Sequence, residues 1–227
     1  MKRKVLAGLL TVVMAAGFVA VPGMQTEVKA DDKKLVGVAM PTKDLQRWNQ
    51  DGENMKKSLE EAGYEVDLQY ASNEVATQVS QVENMISNGC DILVIASIDG
   101  SSLGEPLSQA KEAGIPVIAY DRLLMESDAV SYYATFDNYM VGQKQGEYIE
   151  EALNLKEEKG PFNIELVAGA PDDNNAKFFF SGAMDVLQPY IDEGVLVVKS
   201  GQTEFEKCAT QAWDSACLLY TSDAADE

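Results

Sequence analysis

Five short polar clusters could do chemistry in this chain: Arg47-Trp48, Ser97-Ile98-Asp99-Gly100, Asp121-Arg122, Asp137-Asn138 and Asp172-Asp173-Asn174-Asn175. Carboxylates, carboxamides and guanidinium forks are planar groups that can each engage two adjacent hydroxyls, and an indole face covers the C–H side of a ring. Brought together, such side chains would hold a small neutral polyol, each hydrogen bond to a charged group contributing about 1.5–3 kcal/mol. Every cluster also has a plainer use. Asp121 and Arg122 can pair with each other, Asp172 to Asn175 can cap a helix, and Trp48 can be core.

The composition removes competing chemistries. There is no histidine in 227 residues, which excludes the commonest general base, the Ser-His and Cys-His dyads and the usual zinc ligand. With 37 acidic against 18 basic residues the net charge is −19, which argues against a nucleic-acid partner. Neither Gly-rich phosphate-binding pattern follows the first strand, and no cofactor or metal is expected. Asp172 and Asp173 are adjacent in sequence, which gives no reason to expect the opposed carboxylates of a glycosidase, and the chain reads as a non-enzyme. Cys90, Cys208 and Cys217 are odd in number and lack metal-ligand spacing. Cys90 reads as a small buried hydrophobe at a strand start, and Cys208 carries no assigned role.

The elements that must position these clusters alternate strand with helix, the signature of βαβ units on a parallel sheet. Strands are expected at 35–40, 66–70, 92–95, 117–120, 131–134, 164–168 and 195–198. Trp48, Met55, Leu59 and Ala62 form the apolar stripe of a first helix stopped by Gly63. Val75, Val79, Val82 and Ile86 mark a second, closed by Asn88-Gly89. A third spans 103–113, Asn138 caps a fourth running to about Leu153, and Asp172 to Asn175 cap a fifth with Phe180, Met184, Leu187 and Ile191 on one stripe. All five polar clusters then follow the carboxyl ends of strands, where an open parallel sheet binds its ligands, and this predicts one shared site.

The fold class is therefore α/β, with two Rossmann-like lobes on parallel sheets: the first over 31–137, the second begun over 138–216 and incomplete. Two such lobes need roughly 300 residues. Residues 1–30 have the three parts of a secretory signal: Lys2-Arg3-Lys4, an apolar stretch to Val21, and small residues at Val28-Lys29-Ala30. Export places the mature protein in the periplasm or on the outer face of the cytoplasmic membrane. Residues 217–227 continue no period and resemble the translation of a transposon-type sequencing adapter, a non-native tail.

The blocks V-A-M-P-T-K-D-L-Q-R-W (38–48), Q-V-E-N-M-I-S-N-G (81–89), V-I-A-S-I-D-G (94–100), I-A-Y-D-R (118–122), S-Y-Y-A-T-F-D-N (131–138) and P-D-D-N-N-A (171–176) resemble the periplasmic sugar-binding receptors of ABC importers. The resemblance is to the xylose and multiple-monosaccharide (glucose and galactose) type and covers residues 34–214. It implies two lobes joined by a three-stranded hinge that close over one pyranose. It also implies ligand contacts from Arg47, Trp48, Asp121 and Arg122 in the first lobe and from Asp173 and Asn175 in the second. Residues 135–138 resemble the first hinge crossing, with Asn138 near the ligand. The implied partners are a monosaccharide and a membrane permease, with a chemoreceptor or sensor kinase as an alternative partner. Truncating Asp173 to alanine is expected to cost sugar affinity and leave sugar-free melting near normal. A sugar-responsive repressor of the same fold would begin with a basic DNA-binding segment, which this chain lacks.

Overall fold

The computed structural model describes residues 33–216. The expected export signal and the expected non-native tail lie outside them. Five parallel strands make the first sheet: β1 (Leu35–Met40), β2 (Glu65–Tyr70), β3 (Ile92–Ile95), β4 (Val117–Tyr120) and β5 (Val130–Ala134), in the order β2-β1-β3-β4-β5. The helices α1 (Gln46–Glu61), α2 (Val75–Ser87) and α3 (Gly104–Glu112) connect the first four strands. Strand order reverses at β1, so a crevice opens beyond the carboxyl ends of β1 and β3.

β1 explains how the layers form. Val36, Val38 and Met40 face α1 and pack with Trp48 and Val94, whereas Ala39 faces the opposite cluster of Val82, Met85, Leu93 and Ile95. A strand buried on both faces must read as a continuous apolar run. Gly37 completes it, because a Cβ there would come within 2.9 Å of both Leu93 and the Met85 sulfur. Cys90 is buried two residues before β3, and its thiol is pushed up to about 11, mainly by burial, so it is an inert hydrophobe there.

A second, two-stranded parallel sheet pairs β6 (Phe162–Ile164) with β7 (Leu196–Val198). Two long helices, α4 (Asn138–Ala152) and α5 (Asn174–Asp192), accompany it. They approach closely because glycines of each helix meet the backbone of the other: a Cβ on Gly142 would strike the Phe179 carbonyl, one on Gly146 the Ala183 carbonyl, and one on Gly182 the Tyr139 carbonyl. A single turn, α6 (Phe205–Cys208), follows β7.

Three sequence expectations shift. The sixth strand lies earlier than 164–168, because the Glu165 carboxylate takes the Ser200 N–H at 2.8 Å and the Ser200 hydroxyl at 2.6 Å, and the chain turns at Gly201 (φ 69°). That leaves β7 too short to pair beyond Ile164, and Ala168 bridges Ala209 instead. The cap of α4 is Asp137, whose carboxylate accepts the Met140 N–H, and Asn138 is the first helical residue. Ala62 is exposed, one position past the end of α1.

Candidate functional site

The loop after β3 is the floor of the site. Gln78, 1 % exposed on α2, spans it with both ends of its amide: Nε2 donates to the Ala96 carbonyl at 2.9 Å, and Oε1 accepts the Ile98 N–H at 2.8 Å. So held, the carbonyls of Ser97 and Ile98 accept from Arg122 Nη1 at 3.0 and 3.3 Å. The Arg122 Nε lies 3.1 Å from Asp173 Oδ2, close enough for an ion pair but not aligned as a hydrogen bond. Asp173 is the N-cap of α5, its Oδ1 accepting the Asn175 N–H, while Oδ2 also accepts the indole N–H of Trp213 at 3.0 Å.

Asp121 follows β4 with a left-handed backbone (φ 62°). Its carbonyl accepts from the Thr135 hydroxyl at 2.9 Å, the Asn175 Nδ2 at 3.0 Å and the Tyr133 hydroxyl at 3.3 Å, joining β4, the segment after β5 and α5 at one atom. Its carboxylate pairs with Arg47 Nη2 at 2.5 Å. Asp121 and Arg122 therefore do not pair with each other; each reaches a different element. Trp48 is both core and wall: the residue is 2 % exposed, with the guanidinium carbons of Arg47 and Arg122 at 4.6 and 5.3 Å from its ring centroid.

These groups surround a cavity of about 250 Å³. Its polar wall is Arg47, Asp121, Arg122, Asp173 and Asn175; its apolar wall is Leu45, Trp48, Phe179 and Trp213. Six of the seven residues expected from sequence thus line one space. The seventh, Asn138, stands behind it, donating from Nδ2 to Asn175 Oδ1 at 2.9 Å, and so orients a lining residue. Sequence reasoning missed Phe179 and Trp213. Trp213 had a usable signal, an isolated indole in a polar stretch, but no periodicity placed it.

Charge is balanced within the cavity wall. Burial works to lower the Arg47 pKa, and the hydrogen bond and charge of Asp121, with Asp51, outweigh it and raise it. Burial pushes the Asp172 carboxyl up, against the opposing pull of its own backbone hydrogen bond and of Arg122. Asp172 lies on a neighbouring cavity of about 300 Å³ that shares Arg122 and Asp173 with the first. Guanidiniums held by carboxylates, amides held by backbone and two indoles facing one space can take up hydroxyls in plane and a ring face by stacking.

Comparison with known proteins identifies the family. The family described as "Periplasmic binding protein domain" matches residues 36–217. The chain is 53% identical over 203 residues to the multiple sugar-binding periplasmic protein SbpA of Azospirillum brasilense, covering 89% of this chain and 57% of that protein. It is 54% identical over 202 residues to the multiple sugar-binding periplasmic receptor ChvE of Rhizobium radiobacter, with the same coverage of 89% and 57%. An ABC transporter solute-binding protein from Clostridium phytofermentans, solved with bound β-D-glucose, superimposes with a TM-score of 0.80 at 70% identity, over 85% of this chain and 61% of that one. The chain thus spans a little over half the length of these curated relatives. The α/β fold with parallel sheets, the cavity at the strand ends and the match over 36–217 together make this chain a member of the periplasmic binding protein domain family.

Proposed function

We propose that the chain captures a monosaccharide of the glucose, galactose and xylose class outside the cytoplasmic membrane, for delivery to an ABC import permease, and makes or breaks no bond. The observation that carries this reading is the cavity itself: two indoles, Trp48 and Trp213, wall a space rimmed by Arg47–Asp121 and Arg122–Asp173. Its volume of about 250 Å³ is just below the roughly 300–1,000 Å³ usual for drug-sized ligands, which suits one sugar ring rather than an oligosaccharide. The names of SbpA and ChvE, and the glucose bound in the clostridial protein, support the ligand class.

In this reading Arg47, Trp48, Asp121 and Arg122 meet the sugar from one lobe and Asp173 and Asn175 from the other, with Asn138 steadying Asn175. The lobes join between Asp137 and Asn138, at the N-cap of α4, and the segment 1–30 exports the chain. Isothermal titration calorimetry with D-glucose, D-galactose and D-xylose tests the proposal. Saturable 1:1 uptake of at least one of them is the expected result. No heat with any of the three, from chain shown to be folded, overturns it.

A further inference from the structure

Asp51 stands one helical turn after Arg47 on α1, and its Oδ2 lies 3.4 Å from Arg47 Nε. It does not line the cavity. We propose that Asp51 is a positioning residue: it fixes the Arg47 guanidinium in the cavity wall and so strengthens sugar binding without touching the sugar. The inference rests on the reading of the cavity as a monosaccharide site.

The argument starts from what Arg47 lacks. Its side chain is 53% exposed, and a free arginine side chain carries rotamer entropy that a ligand contact would have to overcome. Asp121 holds it at Nη2 alone, a contact about which the planar group can still turn. The Asp51 carboxylate, 3.4 Å from Nε as an ion pair and not aligned as a hydrogen bond, draws a second edge of the group toward α1, and the Trp48 ring at 4.6 Å bounds its face. Among the described residues no protein acceptor takes the Nη1 protons, which leaves that corner of the fork for a ligand hydroxyl. Asp51 also bears on the strand beneath. Burial, and then the charge and hydrogen bonding of Asp51, push up the phenol of Tyr120, the residue before Asp121. One carboxylate thus acts on both the guanidinium and the end of β4 that carries its partner.

The competing account is an ordinary exposed i,i+4 ion pair that contributes slightly to the helix and nothing to binding. Calorimetric titration of the full chain with D-glucose separates the two. Asp51→Ala is expected to weaken binding about 3-fold, the scale of a partly exposed ion pair, with the sugar-free melting midpoint nearly unchanged. Asp51→Glu, which restores a carboxylate, is expected to recover most of the loss. In an Arg47→Lys background Asp51→Ala should add nothing further. Unchanged affinity in Asp51→Ala, or an equal loss in both backgrounds, overturns the inference and leaves the proposed function standing. If the unaltered chain takes up D-galactose or D-xylose but not glucose, the same variants are titrated with that sugar; if it takes up none of the three, the proposed function falls, and the positioning role is decided by the Arg47 Nε–H signal in NMR. Faster hydrogen exchange of that proton in Asp51→Ala than in the unaltered chain upholds the role, and equal exchange overturns it.

Discussion

Arg122 and Asp173 form a nearly fully buried ion pair, side chains 9% and 4% exposed, that joins the end of β4 to the start of α5. Neither partner is spare. Arg122 also holds the carbonyls of Ser97 and Ile98, and Asp173 also caps α5 and takes the Trp213 indole. A group that meets three demands at once must be treated as structural and functional together.

Truncating Asp173 is therefore expected to cost stability as well as affinity, where the sequence alone led us to expect near-normal melting. Asp173→Ala leaves the Arg122 guanidinium buried without its carboxylate, a change that costs about 3–5 kcal/mol. At this chain length that is a fall of about 10 °C in the sugar-free melting midpoint. Asp173→Asn keeps one acceptor oxygen, enough for the cap or for the Trp213 indole but not for both, and it also leaves Arg122 without a carboxylate, so it should recover only part of the loss. Thermal melts followed by circular dichroism decide; an alanine variant that melts within a degree or two of the original would show that the ion pair is not formed in solution.

Trp213 presents its ring to the cavity and its N–H to Asp173. Trp213→Phe keeps a ring face and removes the donor, so we expect a loss of affinity of about 5-fold for glucose, the net contribution of one hydrogen bond. Gly169 allows the ring to sit where it does, since a Cβ there would overlap the indole. Gly169→Ala should displace the ring and change tryptophan fluorescence without any change at Trp213 itself. Unaltered fluorescence and affinity in both variants would remove Trp213 from the site.

The first sheet was legible because each strand and helix carries its own period: β1 matches residues 35–40, and α2 runs from Val75 to the Asn88-Gly89 stop. Polar clusters at strand ends were legible for the same reason, and three of the five supply six residues that line one cavity. What the residues do to one another was not legible. Asp121 and Arg122 are neighbours in sequence, yet one reaches back to α1 and the other across to α5. Glu165 reads as strand, but its carboxylate captures Ser200 and the strand ends before it. Both outcomes depend on partners 35 or more residues away, which no local pattern records.

The helix pair that carries Asn138 and Asn175 depends on glycine. Gly182→Ala must force α4 and α5 apart, because the added carbon meets the Tyr139 carbonyl, a backbone atom that cannot step aside. A cost of about 1–3 kcal/mol follows from overpacking, or roughly 3–9 °C in melting midpoint. Gly104→Ala on α3 is the control, since nothing lies within 4 Å of the position and alanine favours helix by up to about 1 kcal/mol. If Gly182→Ala melts no lower than Gly104→Ala, the close approach of α4 and α5 is not what the sequence requires.

Asp172 gives the fold a pH dependence of unusual sign for a carboxylate. Burial raises its pKa above the ordinary value, so the folded chain binds a proton there more readily than the unfolded chain does. Its contribution favours folding at pH values below its unfolded pKa and is lost as pH rises through the folded one, the reverse of a salt-bridged carboxylate. Asp172→Asn, which carries no charge to desolvate, should therefore melt slightly higher than the original at pH 7, by about 1 °C given how strongly solvent screens so exposed a group. The advantage should shrink as the pH is lowered through the acidic range. An advantage that is constant across pH, or that grows on acidification, would mean that desolvation does not dominate at Asp172 and that its neighbour Arg122 holds the charge in place.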